Sequence, residues 1–164
     1  MTTGTTGRLA EGLEQGRVEE VLAALARAET AAEDALRVQC LIELGRHGEA
    51  AEAAAALDPR RDDSVHAGTV WLARARLFLV TGQLEAADRA LGAAAPVASG
   101  EQVVELASLR AELWRARGDP ERGLDLLRPA LSGAPTTAEE GHLHIEAARL
   151  ELSMGRPDRA ESNA

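Results

Sequence analysis

The residues of this chain best equipped for chemistry are its four histidines, its single cysteine, its paired carboxylates and its arginines. His142 and His144 stand two apart, about 200° around a helix, so they cannot share one metal ion. His47 falls in a turn and His66 near a helix start. No second cysteine, no Cys-x-x-Cys and no His-Glu-x-x-His accompanies them. The four read as surface or packing histidines, and no metal is expected. Cys40 has no basic group or histidine placed to activate it and reads as a structural buried thiol. Glu19-Glu20, Asp62-Asp63 and Glu139-Glu140 are neighbours in the chain. Adjacent residues point apart on a helix, so these pairs are solvated faces rather than acid–base couples. Gly4, Gly7 and Gly16 do not make a phosphate loop, and no lysine exists to reach a phosphate. Neither an enzyme nor a cofactor is expected.

The elements that must position these residues are helical. In the stretch Val70 to Pro96, Trp71, Ala75 and Phe78 fall at i, i+4 and i+7 on one helical stripe. After Gly82 a second stripe runs Leu84, Ala87, Leu91, Ala94. Gly82 suits a helix C-cap, where the left-handed conformation costs no Cβ clash, and Pro96 cannot continue the second helix. The stretch reads as an antiparallel hairpin. Aligning on the glycine repeats it at Gly16, Gly45, Gly118 and Gly155. Gly45, Gly82, Gly118 and Gly155 are 37, 36 and 37 residues apart, whereas Gly16 precedes Gly45 by only 29. A period of this size marks a solenoid in which each hairpin buries its apolar face on the next.

On these residues the chain resembles the tetratricopeptide repeat family, in which large and small residues alternate at set positions around a turn glycine. The roles fall to Trp71, Ala75, Phe78, Gly82, Ala87, Leu91 and Ala94 in the third unit. In the fourth they fall to Ala107, Ala111, Trp114, Gly118, Gly123, Leu127, Ala130 and Pro135. The second has Val38, Leu41, Gly45, Ala50, Ala54 and Leu57. The fifth keeps Ala148, Gly155 and Ala160 but has Glu151 where a large residue is expected. The period exceeds the family's by two or three residues, and leucine and alanine replace most aromatics. The resemblance implies an all-α fold, a right-handed α-solenoid of 4 to 5 repeats of 36–37 residues forming one domain. Residues 8–29 make a degenerate first repeat, 30–59, 62–96 and 99–135 full ones, and 137–164 an incomplete last one.

Local signals refine the boundaries. Residues 1–7 read as a fraying arm. Thr30 with Glu33, Ser99 with Gln102 and Thr137 with Glu140 read as capping boxes. Asp119-Pro120 reads as an N-cap followed by a first-turn proline, and Pro59–Ser64 as a solvated connector. The chain ends two turns into a helix after Pro157, leaving an apolar face around Ile145, Ala148 and Leu152. Either that stub covers the face or another chain does, which makes a homodimer one expectation, and a fragment of a longer array is the alternative.

Composition narrows the class. Of 164 residues, 45% are hydrophobic and only 2% aromatic, an alanine- and leucine-rich interior suited to close helix packing. No strand pattern appears. A net charge of −9 disfavours a nucleic-acid surface, and no apolar run is long enough for a membrane span. The lone cysteine and the start without a secretory signal fit a reducing cytoplasm. All 18 basic residues are arginine, which reads as the coding bias of a GC-rich bacterial genome.

In tetratricopeptide arrays the first helices of the hairpins line a concave groove. Carried onto this chain, that groove comprises Gln39, Ile42 and Glu43, then Leu72, Arg76 and Leu79. It continues through Ser108, Glu112 and Arg115 to His142, Ile145 and Arg149. The lining lacks the lysine and asparagine set with which co-chaperones clamp a terminal carboxylate. Arg76, Arg115 and Arg149 either grip carboxylates of a peptide or pair with neighbouring acids such as Glu112. The function implied is a protein-interaction scaffold binding a peptide or partner domain. The alternative is a sensory or oligomerisation segment of a larger bacterial regulator, resembling the helical repeats that follow the ATPase domain of some transcription activators.

Overall fold

A computed structural model of the chain describes residues 3–27, 30–57, 64–133 and 137–156, and these are all-helical with no strand. In order they are α1 (Thr3–Glu14), α2 (Val18–Ala24) with a 3-10 turn at Leu25–Arg27, α3 (Ala31–Glu43) and α4 (His47–Ala56). Then come α5 (Ser64–Val80), α6 (Leu84–Ala94), α7 (Glu101–Ala116), α8 (Pro120–Gly133) and α9 (Thr137–Ser153). The connector 58–63, Pro135 and the stub after 156 lie outside the described residues.

Five turns share one construction. Gly16, Gly45, Gly82, Gly118 and Gly155 all have positive φ, between 68° and 82°. At Gly82 the glycine amide donates to the Leu79 carbonyl and the next amide, of Gln83, reaches back to Phe78. The same pair of bonds recurs at the other four glycines. This is the Schellman closure, which satisfies carbonyls that a helix end otherwise leaves bare. A side chain at Gly82 meets no neighbour within 4 Å, so strain there is purely conformational. Gly82→Ala is therefore expected to cost about 1–2 kcal/mol, the left-handed penalty of an L-residue, read as a lowered urea midpoint.

The starts are more varied. Thr30 forms the full capping box, its Oγ1 accepting from the Glu33 amide while Glu33 accepts from the Thr30 amide, both at 3.2 Å. Asp119 caps α8 through Oδ1 and the Arg122 amide at 3.2 Å. The expected box at Ser99 forms only by half. Gln102 accepts from the Ser99 amide, but the N-cap is Gly100 at φ 56°, with no side-chain bond. The Gln102 amide nitrogen instead donates to Thr69 Oγ1 on α5 at 2.8 Å, a tertiary bond that sequence spacing does not reveal. The cap side chains of Thr137 and Glu140 lie outside the described set. The segment expected to fray is helical from Thr3, because α1 docks Leu9 and Leu13 onto Val21, Leu25, Leu36 and Cys40 and a nucleated helix extends cheaply. α8 also runs through an interior proline, Pro129.

Packing follows chain order. Among the described residues no helix meets one more than two places along, and the odd-numbered helices form a continuous row, α1 on α3, α3 on α5, α5 on α7, α7 on α9. The even-numbered helices α2, α4, α6 and α8 do not meet one another. The interior is accordingly a string of clusters, each shared by one hairpin and the next odd helix. Val38, Ala50, Ala54, Val70 and Leu77 form one. Leu72, Ala75, Ala87, Leu91 and Leu113 form the next, and Ala111, Leu127, Leu143 and Leu150 another. Alanine and glycine recur where two helices touch. On α9, Ile145 and Leu152 are 50% and 58% exposed, while Ala148 is half-buried.

Candidate partner-binding cleft

The odd-numbered helices α1, α3, α5 and α7 open a cleft of about 690 Å³. Its wall carries Gln39, Ile42 and Glu43 from α3 and Arg76 from α5, four of the residues expected there. Leu13 of α1 and Ala35 of α3 also line it, and on the far side so do Thr69 and Ala73 of α5 and Gln102 and Glu105 of α7. These last four were missed, although Thr69 and Glu105 each stand 13 residues before their turn glycine. The staggering of neighbouring helices lets that position on one meet the position seven later on the helix before it. Arg76 and Glu105 illustrate it, Nη2 lying 3.0 Å from Oε1 with both side chains partly shielded.

Two expected lining residues are core. Leu72 is 1% exposed and Leu79 8% exposed, both in the cluster with Leu106, Leu109 and Leu113 of α7. Ser108 of α7 is likewise buried, and its Oγ has no hydrogen-bond partner among the described residues. On α5 the positions ten and three residues before the turn glycine pack with α7, whereas on α3 the position three before it, Ile42, lines the cleft. The position six before the glycine lines it on both helices. That row reads Gln39, Arg76, Glu112, Arg149.

The row is divided. Glu112, Arg115 and Arg149 line a separate hollow of about 290 Å³ with Glu146 and Ser153, between α7 and α9. Arg149 Nη1 lies 2.6 Å from Glu146 and Arg115 Nη2 3.8 Å from Glu112, each within its own helix. All three arginines thus have carboxylate partners, and only that of Arg76 spans two helices. A guanidinium carries five donors, so one such bond leaves capacity for a visiting group. The side chain of His142 lies outside the described residues, and Ile145 is exposed.

The other chemistry-bearing groups stand apart. Cys40 is buried, and loss of water around it pushes its thiol up from the ordinary value, away from thiolate reactivity. Glu151, at the position filled by Leu41, Phe78 and Trp114 in earlier units, is 6% exposed. Its Oε2 lies 3.8 Å from Arg156 Nη1, and Arg156 also holds Glu121 at 2.6 Å. At the exposed start of α4, Arg46 donates two hydrogen bonds to Glu49, which holds that carboxyl below its ordinary value. Among the described residues no group of three or more His, Cys, Asp or Glu is placed to hold a metal ion. None of their helices is long and apolar enough to cross a membrane. Comparison with protein-family models, with curated proteins and with solved structures finds no match.

Proposed function

We propose that the chain is a tetratricopeptide-like right-handed solenoid that acts as a protein-interaction scaffold, taking a peptide or partner segment in the cleft of its odd-numbered helices. The observation that carries this reading is the lining of that cleft. It sets Ile42 and Ala73 beside the amide of Gln39 and the carboxylate of Glu43. Aliphatic surface accepts apolar side chains, an amide pairs with an extended backbone, and Glu43 accepts a basic residue. The five identical glycine turns and the chain-ordered packing support the solenoid itself. A reducing bacterial cytoplasm suits the single buried thiol.

A random peptide library displayed on phage, selected against the full chain, tests the proposal. Enriched peptides are expected to combine apolar and basic residues. The double variant Glu43→Gln, Arg76→Gln should weaken them about tenfold, the loss of one charge-assisted bond. Arg128→Gln, exposed on α8 beside Asp125, should leave their affinity unchanged. A selection without enrichment, or peptides indifferent to the double variant, would overturn the assignment.

A further inference from the structure

A second concavity, of about 480 Å³, opens on another face of α5, where α4 and α6 fail to meet. Its floor is Trp71, Leu77 and Phe78 of α5, and its walls are alanines of α4 and α6. The next such gap, between α6 and α8, is built differently. There Trp114 stands where Phe78 stands here, and the guanidinium groups of Arg117 and Arg122 lie over its ring, at 5.1 and 3.8 Å from the centroid. Arg117 also holds Asp88 of α6 at 2.8 Å, bridging one helix to the next. Counted from the turn glycines, the three residues of this lid, Asp88, Arg117 and Arg122, correspond to Ala51, Thr81 and Ala86. All three of these line the open crevice. Small side chains stand where that lid would be, so among the described residues Phe78 has no guanidinium over it, while Trp71 keeps that of Arg74 5.4 Å from its ring centroid.

Its charge is also reversed. Seven residues past the turn glycine stand Glu52, Arg89 and Asp125 in successive units, so the cation falls only at this crevice. Among the described residues Arg89 and Arg74 are its only charged lining residues, on a chain of net charge −9. Arg74 is committed to the floor, donating from Nε to the Ala54 carbonyl at 3.1 Å and from Nη2 to that of Leu57. Arg89 is exposed at the rim. The volume lies within the range of about 300–1,000 Å³ typical of small-molecule sites, which are mostly apolar with few polar groups. We infer that this crevice is a binding site for a small organic acid with an apolar body, the tail lying on Trp71 and Phe78 and the carboxylate on Arg89.

The test is calorimetric titration of ligand with the full chain, using laurate below its micellar concentration and its neutral counterpart dodecanol below its solubility limit. Laurate is expected to bind about tenfold more tightly than dodecanol. Arg89→Gln should abolish that difference and leave dodecanol unchanged. The double variant Thr81→Arg, Ala86→Arg, which installs the neighbouring lid, should weaken both about tenfold or more. Its helicity is checked by circular dichroism, and Arg89→Gln, a surface change, stands as an independent arm. No laurate binding, equal affinity for the alcohol, or unchanged binding to a folded lid variant would each overturn the assignment.

Discussion

Leu72→Ala is expected to destabilise the chain by about 2–5 kcal/mol, the range for truncating a fully buried leucine whose cavity cannot collapse. Leu72 is 1% exposed and packs among Ala75, Leu106 and Leu109, where α5 meets α7. Ile145 makes the experiment decisive, because it occupies the same register on α9, ten residues before its turn glycine, and is 50% exposed. Ile145→Ala should therefore cost under about 1 kcal/mol. Both are read from urea denaturation followed by circular dichroism. Equal effects of the two substitutions would mean that α7 does not cover α5 as described, and the cleft would then have a different lining. Because arrays of repeats unfold in steps when their interfaces weaken, a broadened transition in Leu72→Ala is also expected, with the midpoint rather than the extrapolated stability as the reported quantity.

Gly123→Val is expected to cost about 2–3 kcal/mol, by overpacking rather than by strain of the glycine backbone. A Cβ at Gly123 would lie 2.9 Å from the Ala111 carbonyl oxygen and 3.2 Å from a Leu150 methyl. The first of these is backbone, so α7 and α8 must separate to admit it. Ala50 and Ala87 hold the same position in the second and third units and are fully buried. Glycine here lets α7 and α8 approach closely in the fourth unit, where α8 also touches α9. Gly92 provides the opposite sign. It is exposed inside α6 with nothing within 4 Å, so Gly92→Ala should stabilise by about 0.5–1 kcal/mol through helix propensity. Thermal melts of the two variants against the parent should move in opposite directions, and a shared direction would refute the assigned crossing.

What could be read from the sequence was whatever a single hairpin specifies within itself. Glycine alone tolerates the left-handed turn, so the five turn positions were legible before any coordinates. So was the hairpin of α5 and α6 around Gly82, because apolar spacing and flanking breakers are local signals. The three cleft residues on α3 and Arg76 on α5 were reachable by counting back from the glycine. The register between neighbouring helices was not, since it depends on how far one helix slides along the next. Side-chain volumes at the crossing decide that slide. It placed Leu72 and Leu79 under α7, drew Arg76 to Glu105, and divided the arginines between two hollows. It also left the α4–α6 gap open and placed Arg117 and Arg122 over Trp114 in the next unit. A repeat announces its own fold through short-range chemistry, but which face of each helix reaches a visitor is set by neighbours about 36 residues away, where one chain's periodicity carries no record of the offset.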